Sequence, residues 1–118
     1  MTYSVLGEAV RWTESVLGVH AGTFPPADAA DDFAVVTRVG GDVSYPHDNP
    51  RICIQIWAAS ESEGEQAALA LARVLPSFKD ADPRINSVTA PELVQMGREE
   101  GGRCIWELEF GVNANIRD

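Results

Sequence analysis

The sequence predicts an α+β domain, in which an antiparallel or mixed sheet of four to five strands carries two helices packed on one face. Two segments space their apolar residues as amphipathic helices do, and several others alternate apolar and polar residues as half-buried strands do. The elements follow the order helix, strand, strand, helix, strand, an optional short strand and a final strand, which favours helices layered on one side of a sheet. With 118 residues the chain can build one hydrophobic core, so we predict a single domain over 1–118.

The first element is a helix over 2–18. Its apolar positions fall on one helical face, and they are Val5, Leu6, Ala9, Val10, Val16 and Leu17. Thr2 or Ser4 can cap its start, and Gly18 can end it. One glycine and two prolines interrupt the next segment, so 21–30 is predicted to be a loop.

Two strands follow, over 33–39 and 51–58. A Gly-Gly pair ends the first, and a polar loop over 42–50 separates it from the second. The second strand alternates at period two, so Ile52, Ile54 and Ile56 share one face. Trp57 lies on the opposite face, where either a neighbouring loop partly covers it or it serves as an interface anchor, since exposed Trp is enriched in binding hot spots.

The second helix has the clearest start of any element. Ser60 stands three residues before Glu63, which is the spacing of a capping box. An apolar stripe follows at the spacing of a core-facing helix, through Ala68, Leu71, Ala72 and Leu75. We expect Pro76 to end this helix or to kink its last turn.

Residues 85–89 and 92–96 form either two short strands or one strand interrupted at Pro91. The final strand, Arg103 to Val112, alternates most regularly, which directs Glu107 and Glu109 away from the core. We predict that the second helix covers the apolar faces of the strands, namely Ile52, Ile54, Ile56, Trp106, Leu108 and Phe110.

The residues contain no recognisable catalytic, cofactor-binding or metal-binding motif. Glu107 and Glu109 form a carboxylate pair, but such a pair on an exposed strand is usually solvated. His47 and Asp48 are adjacent without a nucleophile nearby in the sequence. We therefore expect a protein that is not an enzyme and needs no cofactor or metal.

Charge and cysteine content limit the partners. The net charge of -9 disfavours binding to nucleic acid and has its simplest explanation in solubility. Cys53 and Cys104 occur in a chain without a recognisable secretory leader or membrane span, so we expect free, buried thiols and a cytoplasmic protein.

One stretch, Phe33 to Leu75, resembles the tail terminator family of long-tailed bacteriophages and prophages. The resemblance begins at Val35-Val36-Thr37-Arg38-Val39-Gly40-Gly41 and continues, after a polar loop, through Asp48-Asn49-Pro50-Arg51-Ile52-Cys53-Ile54-Gln55-Ile56-Trp57-Ala58. It ends in the Ala/Leu-rich helix Glu65-Gln66-Ala67-Ala68-Leu69-Ala70-Leu71-Ala72. These elements cover about a third of the chain well and are generic ones that related head–tail completion proteins share.

The resemblance implies a virion structural protein that assembles in the host cytoplasm. Its subunits would form a homohexameric ring on the last ring of the tail tube protein, stop tube polymerisation and offer a surface to the head-side connector. DNA would pass through the ring without being specifically bound. Within this hypothesis Arg51, Gln55 and Trp57 are candidates for subunit contacts, and Glu107 and Glu109 are candidates for an acidic channel lining.

Three alternatives remain open at the level of sequence. The chain could be another phage neck or tail-completion protein, or a small α/β enzyme or ligand-binding domain that uses Glu107, Glu109 or His47. It could also be a bacterial regulatory module that dimerises. A deep pocket containing those acidic or histidine side chains would favour the second alternative, and a flat interface would favour assembly.

Overall fold

A computed structural model describes all 118 residues and contains three helices and one mixed sheet of eight strands. The helices are α1 (Val5–Leu17), α2 (Glu61–Arg73) and α3 (Leu75–Lys79). The strands are β1 (His20–Gly22), β2 (Phe33–Gly40), β3 (Val43–Ser44), β4 (His47–Asp48), β5 (Arg51–Ala58), β6 (Ile85–Val88), β7 (Glu92–Arg98) and β8 (Cys104–Asn115). The predicted α+β class is thereby confirmed.

The sheet is built around β8, which has partners along both flanks. On one flank β5 pairs with Cys104–Gly111 and β4 with the end of the strand; on the other, β7 pairs with Cys104–Glu109 and β6 with the end. Beyond β5 lie β2, which is antiparallel to β5, and then β1, which is parallel to β2. The outer edges of this main part of the sheet are therefore β1 and β7.

The strand count exceeds the predicted four to five, because proline interrupts two strands and two predicted loops contain short strands. Pro50 separates β4 from β5, and Pro91 separates β6 from β7, since proline has no N–H to donate to a ladder. The path from β6 to β7 along β8 agrees with the alternative of one strand interrupted at Pro91. β1 overlaps the start of the predicted loop 21–30, and β3 and β4 lie in the predicted loop 42–50.

Both long helices begin at the predicted caps. The Ser4 hydroxyl accepts a hydrogen bond from the Gly7 N–H at 2.9 Å, and the Ser60 hydroxyl accepts one from the Glu63 N–H at 3.2 Å. Gly18 ends α1 with a positive φ of 67°. The predicted second helix divides after Arg73, and Pro76 lies in the first turn of α3, where its missing N–H costs nothing. None of the helices is long and apolar enough to cross a membrane.

The core lies between the helices and one face of the sheet, as predicted. Leu71 of α2, Ile52 and Ile54 of β5, and Leu108 and Phe110 of β8 are all fully buried. Phe78 of α3 joins them, with its ring 5.7 Å from that of Phe110. The six side chains assigned to this face from the sequence, Ile52, Ile54, Ile56, Trp106, Leu108 and Phe110, all belong to the core cluster.

One glycine sets how closely α2 approaches the sheet. A Cβ atom at Gly64 would lie 2.6 Å from Cδ1 of Trp106, a distance that no real contact tolerates. Trp106 is only 9% exposed, so its ring has little room to move away. The first turn of α2 therefore rests directly on the indole of β8.

We predict that Leu71→Asp destabilises the protein by more than about 4 kcal/mol, because it buries an unpaired charge at a fully buried position. Leu69 belongs to the same helix, and its side chain is 45% exposed. Leu69→Asp is therefore the matched control and should change stability by less than about 0.5 kcal/mol. Chemical denaturation of both variants tests the packing, and similar midpoints for the two would contradict it.

Candidate interaction surface

The second face of the sheet carries no helix, and the register of its strands orders its side chains into rows. Across β2, β5, β8 and β7, the first row is Phe33, Trp57, Ile105 and Gly97, the second is Val35, Gln55, Glu107 and Val94, and the third is Thr37, Cys53, Glu109 and Glu92. The bulged Met96 lies beside the first row. We call this surface the open face. It is apolar at the first row and becomes acidic toward the third.

At its acidic end the open face is crossed by hydrogen bonds between strands. The Arg51 Nε donates to Glu109 Oε1 at 2.6 Å, and Arg51 Nη2 lies 3.4 Å from a carboxylate oxygen of Glu92. The Gln55 amide donates to Glu107 Oε2 at 2.7 Å. The hydrogen bond to Glu109 is the main cause that raises the pKa of the Arg51 guanidinium, which stays charged in any case. Three carboxylates and one guanidinium leave this part of the face with a charge of about -2.

Cys53 lies beneath these polar groups. It is 3% exposed, and its sulfur and one oxygen each of Glu107 and Glu109 lie within 4.8 Å of one another. Burial, and then the charges of the two carboxylates, raise the pKa of the thiol to about 12. A metal ion at this cluster would have to displace the donors from Arg51 and Gln55 that the carboxylates already hold. The arrangement is better suited to a protonated, unreactive thiol.

The apolar end of the open face is an aromatic stack. The rings of Phe33 and Trp57 stack with their centres 5.1 Å apart and their planes inclined by 27°, and the Trp57 Nε1–H donates to Gln55 Oε1 at 3.1 Å. The Arg103 guanidinium lies 5.3 Å from the centre of the Phe33 ring. Further along the row, Met96 is 51% exposed, and Val94 in the next row is 44% exposed. A strip with both aromatic and exposed aliphatic groups is typical of a protein contact surface.

The structure brings the five residues singled out from the sequence onto this one face. Arg51 and Gln55, proposed for subunit contacts, are bonded to Glu109 and Glu107, proposed for a channel lining. Members of one bonded pair cannot lie on separate surfaces of the subunit. Trp57 lies two rows from Glu109 and three rows from Arg51, and it can serve a different contact.

The groups proposed for an enzymatic alternative do not share a pocket. His47 is exposed in β4, and Asp48 beside it binds Arg38, whose Nη1 lies 2.9 Å from a carboxylate oxygen. Four surface cavities are present, and none is lined by His47, Glu107 or Glu109. The largest, of about 480 Å³, lies between the end of α1 and the loop before β2.

Sequence reasoning missed other exposed groups that the fold brings to the surface. Phe24, in the loop before β2, is 72% exposed, and Arg73 at the end of α2 is exposed without a partner in the subunit. An aromatic residue followed by two prolines in an otherwise polar loop was an available signal for Phe24. No comparable signal existed for Arg73, because its surroundings come from strands far along the chain.

No protein-family model matches the chain, and no curated protein is detectably similar to it.

We predict that both cysteines are protected in the native protein. Each thiol is free and buried, and burial is the main cause that raises the pKa of each. At pH 8 a thiol-specific reagent should therefore react with native Cys53 on the order of 1,000-fold more slowly than with the same residue in denaturant. Denaturant should release two reactive thiols per chain. A count of zero would instead reveal a disulfide.

Proposed function

We propose that the protein is a phage tail terminator, a subunit that caps the tail tube as a ring, ends tube polymerisation and offers a surface to the head-side connector. The observation that carries this proposal is the open face, a sheet surface that no helix covers and that combines an aromatic pair with an acidic area. The resemblance from Phe33 to Leu75 supports it, because that stretch forms one structural unit of β2, β5 and α2.

Within this proposal the two ends of the open face have different tasks. Glu107 and Glu109 carry negative charge that would repel the phosphates of passing DNA, so DNA could slide without binding. Arg51 and Gln55 would then line the same channel, since they are bonded to these carboxylates. Trp57, at the far end of the strands, is suited to contact an adjoining ring, either of tail tube protein or of the connector.

The other neck or tail-completion roles share these features and are distinguished by experiment. An enzyme or small-molecule binder receives no support from the cavities, because the candidate groups lie outside them. The proposal also implies residence in the host cytoplasm during assembly and in the virion afterwards.

The defining test uses tail tube protein from the same phage genome, polymerised in the absence and presence of this protein. We expect the added protein to bind one tube end and to halt elongation at a substoichiometric ratio, which electron microscopy of tube lengths would measure. Trp57→Ala should weaken capping by on the order of 10-fold, because an interface Trp is commonly a hot spot. Unchanged tube lengths with saturating protein would reject the terminator role.

A separate prediction concerns the acidic lining. Glu107→Lys should leave ring formation intact but slow genome ejection, since an added cation in the channel grips phosphate. Glu107→Gln, which removes the charge and keeps the shape, should have a smaller effect. Ejection kinetics from virions carrying each variant provide the measurement. A ring structure with Glu107 on its outer rim would exclude this lining whatever the capping result.

A further inference from the structure

A groove of about 300 Å³ lies where the end of α2 and the start of α3 meet the junction of β6 and β7. Its lining is largely apolar and consists of Ala72, Arg73, Leu75, Pro76, Val88, Thr89, Ala90 and Pro91. Arg73 also lines a shallow depression beside it, together with Leu69, which is 45% exposed. We call the two depressions together the docking groove. Arg73 lines both depressions, and most of the side chains around it are apolar.

The side chain of Arg73 has no ion-pair or hydrogen-bond partner within the subunit. Six other arginines are held by internal acceptors, namely Arg11, Arg38, Arg51, Arg84, Arg98 and Arg103. In a chain with 18 acidic residues only Arg73 and Arg117 lack an internal acceptor, and of these two Arg73 is the one that lines the largely apolar groove. Arg is also among the residues most enriched at the centre of protein interfaces. The docking groove thus calls for an occupant that supplies both apolar surface and a carboxylate.

The chain itself contains a segment of that chemistry. Residues 23–32, which we call the docking loop, connect β1 to β2 and expose the Phe24 ring to 72%. Asp28 and Asp31 in the same loop are exposed and pair with no group of the subunit. Asp32 fixes the base of the loop, because its carboxylate lies 3.4 Å from Arg103 and accepts a backbone N–H at 3.1 Å. Arg103 also donates to the Ala29 carbonyl at 2.9 Å, so the loop is held at its base and in its middle and exposes an aromatic ring and two free carboxylates.

The docking loop and the docking groove belong to opposite edges of the sheet. The loop adjoins β1, and the groove adjoins β6 and β7 beyond β8. Four strand spacings separate β1 from β7, which is about 19 Å. One subunit cannot bring the two together, but two adjacent copies can.

We propose that the docking loop of one copy enters the docking groove of the next, with Phe24 against the apolar lining and Asp28 or Asp31 paired with Arg73. The contact deepens the proposed function and rests on it, because a ring requires a repeated contact between copies. It is heterologous, since each subunit uses one surface to bind and a different one to be bound. Such a contact closes into a ring when its rotation permits and leaves the open face of every subunit on the same side.

The position of the two elements along the strands also defines the geometry of the contact. The docking loop returns to β2 at the row of Trp57, whereas the groove lies near Glu92 and Gly111, beyond the third row. Neighbouring subunits would therefore be offset along the strand direction. An offset of this kind tilts the strands relative to the ring axis, as in closed barrels.

Two variants separate the two halves of the contact. Phe24→Asp disables the loop and leaves the groove intact, and Arg73→Glu does the reverse. Each alone should weaken self-association on the order of 30-fold. Mixed in equal amounts, they should form heterodimers that grow no further, because only one intact loop meets one intact groove. Sedimentation velocity over a range of concentrations measures these species for the full chain.

Matched controls come from exposed positions outside the contact. Val39→Asp and Arg117→Glu make the same chemical changes at an exposed apolar side chain and at an unpaired arginine, and both should associate like the wild type. The inference would be overturned if the Phe24→Asp and Arg73→Glu variants self-associated as strongly as the wild type. So would a mixture that associates no better than its components, or a wild type that remains monomeric at about 1 mM.

The outcome is distinguishable from that of the tube-capping test. If the wild type caps tubes and both variants still assemble normally, the terminator role stands and the docking contact is excluded. If the protein forms rings through this contact but leaves tube growth unchanged, the contact stands and the terminator role is excluded.

Discussion

The rest of the structure depends on the strand pairing of β8. Its 12 residues alternate without exception between buried side chains and half-exposed ones. It receives β5 and β4 along one flank and β7 and β6 along the other, so no other strand links as much of the sheet. Because the side-chain period of a strand is two, this one register decides simultaneously which residues reach the core and which form the open face.

The same register allows the open-face side chains of β5 and β8 to bond to each other. Gln55 and Glu107 lie directly opposite each other across β5 and β8, whereas Arg51 reaches diagonally to Glu109, and both pairs bond through their side chains. Such cross-strand pairs each contribute a few tenths of a kcal/mol to about 1 kcal/mol. Their larger effect is on specificity, since they hold the carboxylates in fixed positions above a buried thiol. A partner of this face meets a fixed charge pattern.

Local signals in the sequence predicted the elements, and long-range pairing produced what they could not predict. Ser60 and Gly18 defined helix ends because caps act within one turn, and the alternation of β5 and β8 assigned their buried faces correctly. The short strands β1 and β4 form because longer strands, β2 and β8, pair with them, and β3 forms by pairing with β4. Local propensity therefore does not predict these short strands.

The candidate residues were predicted with unequal success for the same reason. Alternation placed Arg51, Gln55, Trp57, Glu107 and Glu109 on the outward sides of two strands, but only the pairing of those strands shows that they share a surface. Arg73 lies beside the β6–β7 junction because of the tertiary packing of α2, which no local sequence pattern predicts. A period-two pattern shows on which face of its strand a residue lies, but it does not show which strands pair with that strand.

The position of β8 in the chain has a consequence for biosynthesis. Every strand it joins is translated before it, so β2 and β5 wait as a hairpin and β6 and β7 wait without a partner until residues 104–115 have been made. During that interval the nascent chain exposes isoleucine-rich strand edges of the kind that aggregate. The yield of folded subunits should therefore depend on translation speed and on chaperones that bind extended apolar segments.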